Sequence, residues 1–310
     1  MSAQSKVKIL VCAHKPSLVV SNGIYTPIQV GAALSDKELG FLRDDTGDNI
    51  SVKNPYYCEL TALYWAWKNL PPDVEYVGLN HYRRYFWFNH AASFIQSDKI
   101  IAPSEFGKYV GGVSENRIME MLDRYDVILN RPWYYNQSVE SVATSVLCVE
   151  DQVIFEKILL KRYPDYAYIL QQYLRQSNRI SHCNMLLTRR DLFDKYCEWL
   201  FPLLFEAEKY IKLGAYVNQR RTFGYLSEMF MRLFFIHNGC KIKYVPYVFV
   251  DESVQAGRTD VASQSNVLYL LRKWRKNFAF WMGNKQFSKQ PFVVNSFIEG
   301  TLKNIEKIDL

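Results

Sequence analysis

The chain has six cysteines (Cys12, Cys58, Cys148, Cys183, Cys197, Cys240), but no two stand in a Cys-x-x-Cys pair. Neither a zinc ribbon nor a disulfide framework is therefore indicated. Its five histidines (His14, His81, His90, His182, His237) include no His-x-x-x-His, the helical spacing that aims two imidazoles at one zinc ion. There is no Gly-x-Gly-x-x-Gly and no Gly-x-x-x-x-Gly-Lys-[Ser/Thr], so dinucleotide-binding and P-loop enzymes lose their main support. A Gly-x-Ser-x-Gly elbow is also missing, which leaves serine hydrolysis without a nucleophile turn. No run approaches the roughly 18 apolar residues of a membrane span, and no apolar stretch of the signal-peptide kind follows Met1. The expectation is a chain on the cytoplasmic side, free or held against the inner membrane face. Acidic residues are in deficit, 31 against 38 Lys and Arg, for a net charge of +7. That sign favours an anionic partner such as a nucleotide, a polyphosphate or an acidic bilayer, and is too weak to argue for nucleic acid unless it is concentrated.

What is present is a globular composition: 310 residues, 49% hydrophobic and 22% charged, enough for one sizeable α/β core. The 22 Tyr, 19 Phe and 7 Trp exceed what a core alone needs; rings with polar tips suit sugars and membrane interfaces as well as interiors. Val7–Ala13 (VKILVCA) reads as an opening strand that stops at His14-Lys15-Pro16. Further strands are expected at Glu75–Leu79, running into Asn80-His81-Tyr82-Arg83-Arg84, and at Asp126–Leu129, running into Asn130-Arg131-Pro132. Strands that repeatedly end in polar clusters predict one sheet with a site along its carboxyl edge. Helices are expected at Glu59–Asn69, ended by Pro71-Pro72, then at Asp151–Arg162, Tyr168–Arg175, Arg190–Leu213 and Tyr225–Ile236. Lys241–Val250 is β-rich, and the composition shifts near Asp251, dividing the chain into residues 1–250 and an appendage over 251–310.

The densest candidate cluster is Asn80-His81-Tyr82-Arg83-Arg84. Guanidinium forks match phosphate oxygens bidentately and keep their charge at any working pH; the plain alternative is a solvated turn with arginines stacked on tyrosines. The loop Asp44-Asp45-Thr46-Gly47-Asp48 offers carboxylates for a divalent cation or for sugar hydroxyls, or else simply caps the following helix. No Asp-x-Asp occurs, the usual diphosphate-metal chelate of nucleotide-sugar enzymes. Where it would fall stand Asn80-His81-Tyr82 and then Arg83 and Arg84, whose cations could stabilise a departing diphosphate in place of a metal. Mn²⁺ or Mg²⁺ on His81 or the Asp44 loop stays open. Glu228 and Asp151 lie in apolar helical surroundings, where burial would raise a carboxyl toward a general base's range; ion pairing or capping is the commoner fate.

Several blocks together resemble a bacterial family of capsular and exopolysaccharide glycosyltransferases, long catalogued as a domain of unknown function. They are Lys8–Pro16 (KILVCAHKP), Tyr25–Leu34 (YTPIQVGAAL), Asp44–Asn69 with ELTALYWAWKN, Tyr76–Phe86 (YVGLNHYRRYF), Tyr125–Leu129, Asn184–Phe201 and Phe223–Glu228 (FGYLSE). The resemblance implies a GT-A-like α/β fold, a mixed sheet flanked by helices, and transfer of a hexose, with galactose in pyranose or furanose form foremost, from a UDP-sugar. It implies that His14, Gln29, Asp44, Asp45, Asn54 and Glu59 line the donor site, with Asn80, His81, Arg83 and Arg84 facing the diphosphate. The family's pattern has a His shortly before the position of Asp151, where this chain reads Thr144-Ser-Val-Leu-Cys148, and Glu-Arg where it has Glu228-Met229. Both departures fall in the half expected to meet the acceptor, a glycan or lipid-linked glycan.

From Val261 to Ile298 there is no acidic residue, while Arg272, Lys273, Arg275, Lys276, Lys285 and Lys289 alternate with Trp274, Phe278, Phe280, Trp281 and Phe287. Such a stretch suits an anionic membrane surface; equally, its aromatics could pack on the catalytic domain while its cations face water. Two other readings of the whole chain stand beside the transferase: a non-catalytic carbohydrate- or membrane-binding module, and an RNA-binding protein using Tyr82-Arg83-Arg84-Tyr85 for stacking and phosphate contacts. The second lacks any RNP-type strand motif.

Overall fold

A computed structural model describes residues 5–89, 98–254 and 266–287. Its strands are β1 (Val7–Ala13), β2 (Tyr25–Gln29), β3 (Leu42–Arg43), β4 (Tyr76–His81), β5 (Arg84–Phe86), β6 (Lys99–Ile101), β7 (Val127–Asn130), β8 (Trp133–Tyr134), β9 (Arg179–Ile180), β10 (Leu186–Arg189), β11 (Ile242–Val245) and β12 (Tyr247–Val250). The main sheet runs β11-β7-β10-β4-β1-β2-β3, with β5, β6 and β12 joined at one corner. Strand β1 pairs in parallel with β2 and β4, and β11 with β7. Strand β10 lies antiparallel between β4 and β7, so β1, β2, β4, β7 and β11 all point their carboxyl ends the same way.

The near-continuous apolar run of β1 follows from this position, because a central parallel strand is buried on both faces. Leu10 joins the core on one side; Val7, Ile9 and Val11 join the core on the other. The first face is covered by helices Leu60–Asn69, Val149–Arg162, Arg190–Glu208 and Thr222–His237, the second by Tyr85, Phe106 and Ile118. β4 and β10 approach closely at Gly78, where a Cβ would stand 2.9 Å from Leu187 Cδ1 and 3.0 Å from the Leu186 carbonyl oxygen.

The mixed sheet flanked by helices is the expected fold class, and the strands read at Val7, Glu75 and Asp126 are present within one residue at their starts. The helix expected over Arg190–Leu213 ends at Glu208. The run Lys241–Val250 is two strands, because Pro246 lacks the N–H that would continue the ladder. Strand β10 was not expected: Leu186-Leu187-Thr188 is too short an apolar run to tell from buried helix by periodicity. The last described element, helix Asn266–Phe287, lies against β8.

Candidate functional site

A cleft of about 650 Å³ opens at the carboxyl edge of the sheet. The end of β1 contributes Cys12 and His14, the end of β4 contributes His81, and the turn after it Tyr82 and Arg83. Arg84 follows at the start of β5. Asn54, Cys58 and Glu59 come from the segment before helix Leu60–Asn69. Across the cleft stand Trp133 and Tyr135, then His182 and Cys183 from the turn into β10, with Arg221, Tyr225 and Glu228 at the start of helix Thr222–His237.

Three guanidinium groups thus share one cavity with two carboxylates. The Arg83 guanidinium lies over the Tyr82 and Phe249 rings at 5.1 and 5.6 Å, and its buried Nε has no hydrogen-bond partner. Arg84 lies over Phe249 at 5.0 Å, while Arg221 Nε donates to Cys58 Sγ at 3.2 Å. Ring faces hold a cation without neutralising it. His14 feels the result: burial lowers its pKa, and Lys15, Arg83 and Arg221 lower it further, which favours the neutral imidazole.

The carboxylates are braced. Glu59 accepts from Asn184 Nδ2 at 2.8 Å and lies 3.9 Å from His81 Nε2, which donates to the Cys183 carbonyl at 2.5 Å. Glu228 Oε2 is 3.4 Å from His182 Nδ1, and His182 Nε2 is 2.7 Å from the Tyr135 hydroxyl. A carboxylate only accepts, so Nδ1 donates to it, and in the neutral imidazole Nε2 then accepts from the tyrosine hydroxyl. Burial raises the Tyr135 phenol to about 12, keeping it a donor.

Backbone strain gathers here. Cys58, Cys183 and Asn184 are the non-glycine residues with positive φ, at 53°, 78° and 47°, among the described residues. Left-handed cysteine costs of order 1–3 kcal/mol, and such residues concentrate where a site over-determines them. Burial pushes the Cys58 thiol up to about 12, which keeps it protonated and poorly nucleophilic.

The structure brings together seven of the twelve expected residues: His14, Asn54, Glu59, His81, Arg83, Arg84 and Glu228 all line the cleft. Five others do not, each for a local reason. The Gln29 amide is spent on the Lys37 carbonyl and the Leu39 N–H. Asp44 is fully buried and accepts from the N–H groups of Gly31 and Ala32 and from Ser51 Oγ. Asp45 forms a bidentate pair with Arg43 at 3.0 and 2.6 Å, which lowers its pKa. Asn80 is wholly buried in β4, its side-chain N and O without partners. Asp151 is buried against Thr222 Oγ1 at 3.1 Å, outside the cleft. The Asp44 and Asp45 oxygens that could have made this loop a cation site are therefore committed. Among the described residues no group of three or more His, Cys, Asp or Glu side chains is arranged to hold a metal ion. Sequence reasoning missed Tyr135, His182 and Arg221, because only the β10 turn and the helix start bring them to β4; His90 lies outside the described residues.

Asp151 has a measurable signature of its own. Burial raises its carboxyl from 3.8 to about 6, partly offset by the Thr222 hydrogen bond. The folded state then holds the proton more tightly than the unfolded chain, so stability falls as pH rises through that interval and stays lowered above it. Asp151→Asn is expected to match the parent's melting midpoint near the bottom of this window and to exceed it increasingly toward the top. Thermal melts across the range check this, and parallel curves would overturn it.

A GT-A-like sheet with a cationic cleft at its carboxyl edge is the class of protein that fold and site define. The chain belongs to the family described as Domain of unknown function (DUF4422), which matches residues 8–239. It is similar to the apo structure of the bifunctional glycosyltransferase WbbM, with 32% sequence identity and a TM-score of 0.71, covering 79% of this chain and 45% of that one. The chain thus spans less than half the length of that protein. No curated protein matches it significantly.

Proposed function

We propose that the protein is a glycosyltransferase that moves a hexose, galactose foremost, from a UDP-sugar onto a surface-polysaccharide acceptor at the inner membrane face. The observation that carries this reading is the pairing, in one cleft, of the Arg83, Arg84 and Arg221 cations with a braced carboxylate, Glu228. The similarity to WbbM supports it. In this reading the acceptor hydroxyl gives its proton to Glu228 as its oxygen bonds to the anomeric carbon. The bond from that carbon to UDP breaks, and the guanidinium groups receive the charge that develops on the diphosphate. Attack opposite the leaving group inverts the anomeric centre. His182, oriented by Tyr135, holds the Glu228 carboxylate in place. His14, Asn54 and Glu59 line the remainder of the donor side.

The test is a melting screen with UDP, UDP-galactose and other nucleotides, with and without Mn²⁺ or Mg²⁺, followed by product analysis. A ligand bound by the folded state alone stabilises it by about 2.7 kcal/mol at a hundred times its Kd. UDP and its sugars are expected to raise the midpoint most. A shift with no nucleotide would overturn the reading and favour a module that binds glycans without turning them over.

A further inference from the structure

Helix Asn266–Phe287 presents an apolar stripe to solvent. Val267, Leu270, Leu271, Trp274, Phe278, Trp281 and Met282 are all exposed, Trp274 at 66% and Trp281 at 53%. At helical spacing these positions fall within an arc of roughly 120°. Trp274 stacks on Phe278 at 5.6 Å and Phe278 meets Trp281 at 5.9 Å, making one continuous aromatic ridge. An adjoining side faces the protein: Lys273 lies over the Tyr134 ring at 4.8 Å and Lys276 over Tyr135 at 5.6 Å. Asn277 Oδ1 accepts from Asn178 Nδ2 at 3.1 Å. The aromatic ridge thus faces water instead of packing inward, and the cations Arg272, Arg275 and Lys276 are exposed as well. The side chains of Lys285 and Phe287, and the whole of Lys289, lie outside what is described.

We propose that this outward face docks on an anionic lipid bilayer, with the helix parallel to the surface and the cleft mouth turned toward it. Three observations select the lipid over a protein partner. The stripe is bordered on one side by the exposed cations Arg275 and Arg272, and no acidic residue occurs from Val261 to Ile298 to oppose a negative surface. Trp274 and Trp281 are residues whose amphipathic rings settle at the headgroup level. Among the described residues no helix is long and apolar enough to cross a membrane, so the face lies on the bilayer and does not span it. The orientation comes from the seat. Asn178 Nδ2, which holds Asn277, also donates to the Tyr135 carbonyl at 2.6 Å, and Tyr135 and Trp133 line the cleft. A glycan growing on a lipid carrier then reaches the cleft directly from the surface that the helix binds. That identification of the cargo rests on the transferase reading; the docking itself does not.

Flotation of the full chain tests the proposal, using vesicles of phosphatidylcholine alone or mixed with phosphatidylglycerol, at low and high salt. The parent is expected to float with the anionic vesicles and to lose much of that binding at 1 M salt, where the Debye length is about 3 Å. The double substitution Trp274→Glu, Phe278→Glu should lower the bound fraction by about tenfold or more. Arg275→Glu should lower it severalfold on anionic vesicles only. The UDP-induced rise in melting midpoint should survive in every variant, since these residues lie outside the cleft. A parent that ignores both vesicles, or variants that float like it, overturns the docking. So does a parent dimer in sedimentation that the same substitutions dissolve, which would mean that a second copy covers the face. Flotation as expected without any UDP effect would instead remove the transferase reading and leave the docking intact.

Discussion

Replacing Glu228 by Gln is expected to lower sugar transfer by about 10²–10⁴-fold, the range a positioned general base supplies, while UDP binding stays near that of the parent. The amide keeps the carboxylate's shape and its place opposite His182, 3.4 Å away, but cannot take a proton from the acceptor hydroxyl. The loss should therefore appear in kcat, with the UDP-induced shift in melting midpoint preserved. His182→Ala and Tyr135→Phe act through the carboxylate and should cost less, because they disturb where Glu228 points and leave its basicity. An active Glu228→Gln enzyme would remove the base assignment. Asp151 could not replace it in this conformation, since its carboxyl is buried against Thr222 outside the cleft.

The second large effect is expected at the paired arginines. Arg83→Ala and Arg84→Ala should each lower kcat/KM by about 10²–10³-fold, comparable to deleting one donor from a preorganised anion-stabilising site. Lysine should recover only part, because it lacks the planar fork that meets two phosphate oxygens at once. Both guanidinium groups rest on the Phe249 ring, so folding must be checked alongside by melting. Turnover close to the parent in both alanine variants would show that the leaving diphosphate is stabilised elsewhere, with Arg221 the next residue to test.

The parts of this protein that rest on local pattern were legible in the sequence. Val7–Ala13 is rich in β-branched and apolar residues, Lys8 apart, because it lies buried in the middle of the sheet, and Asn80–Arg84 is polar because it spans the carboxyl end of β4 and the turn beyond it. The acidic loop was misleading for a physical reason. Asp44 and Asp45 look like ligands in one dimension, yet Gly31, Ala32, Ser51 and Arg43 satisfy them in three. Nothing in a linear pattern distinguishes a carboxylate committed to a backbone turn from one left open to solvent. The far wall was illegible for another reason. His182 and Glu228 are 46 residues apart and meet only because β10 enters the sheet beside β4.

That late entry also governs how the molecule must be made. Until residues 186–189 have emerged from the ribosome, β4 and β7 have no neighbour between them, and each exposes a row of unsatisfied peptide groups. The nascent chain then holds a half-sheet of β1, β2, β3 and β4 together with β7, both of whose partners, β10 and β11, are still to come, a state open to wrong pairing and to capture by other edges. Synthesis in the cell must carry this intermediate through more than a hundred residues, from the completion of β4 to the arrival of β10. A pause or a break in that interval leaves an aggregation-prone fragment in place of a smaller enzyme.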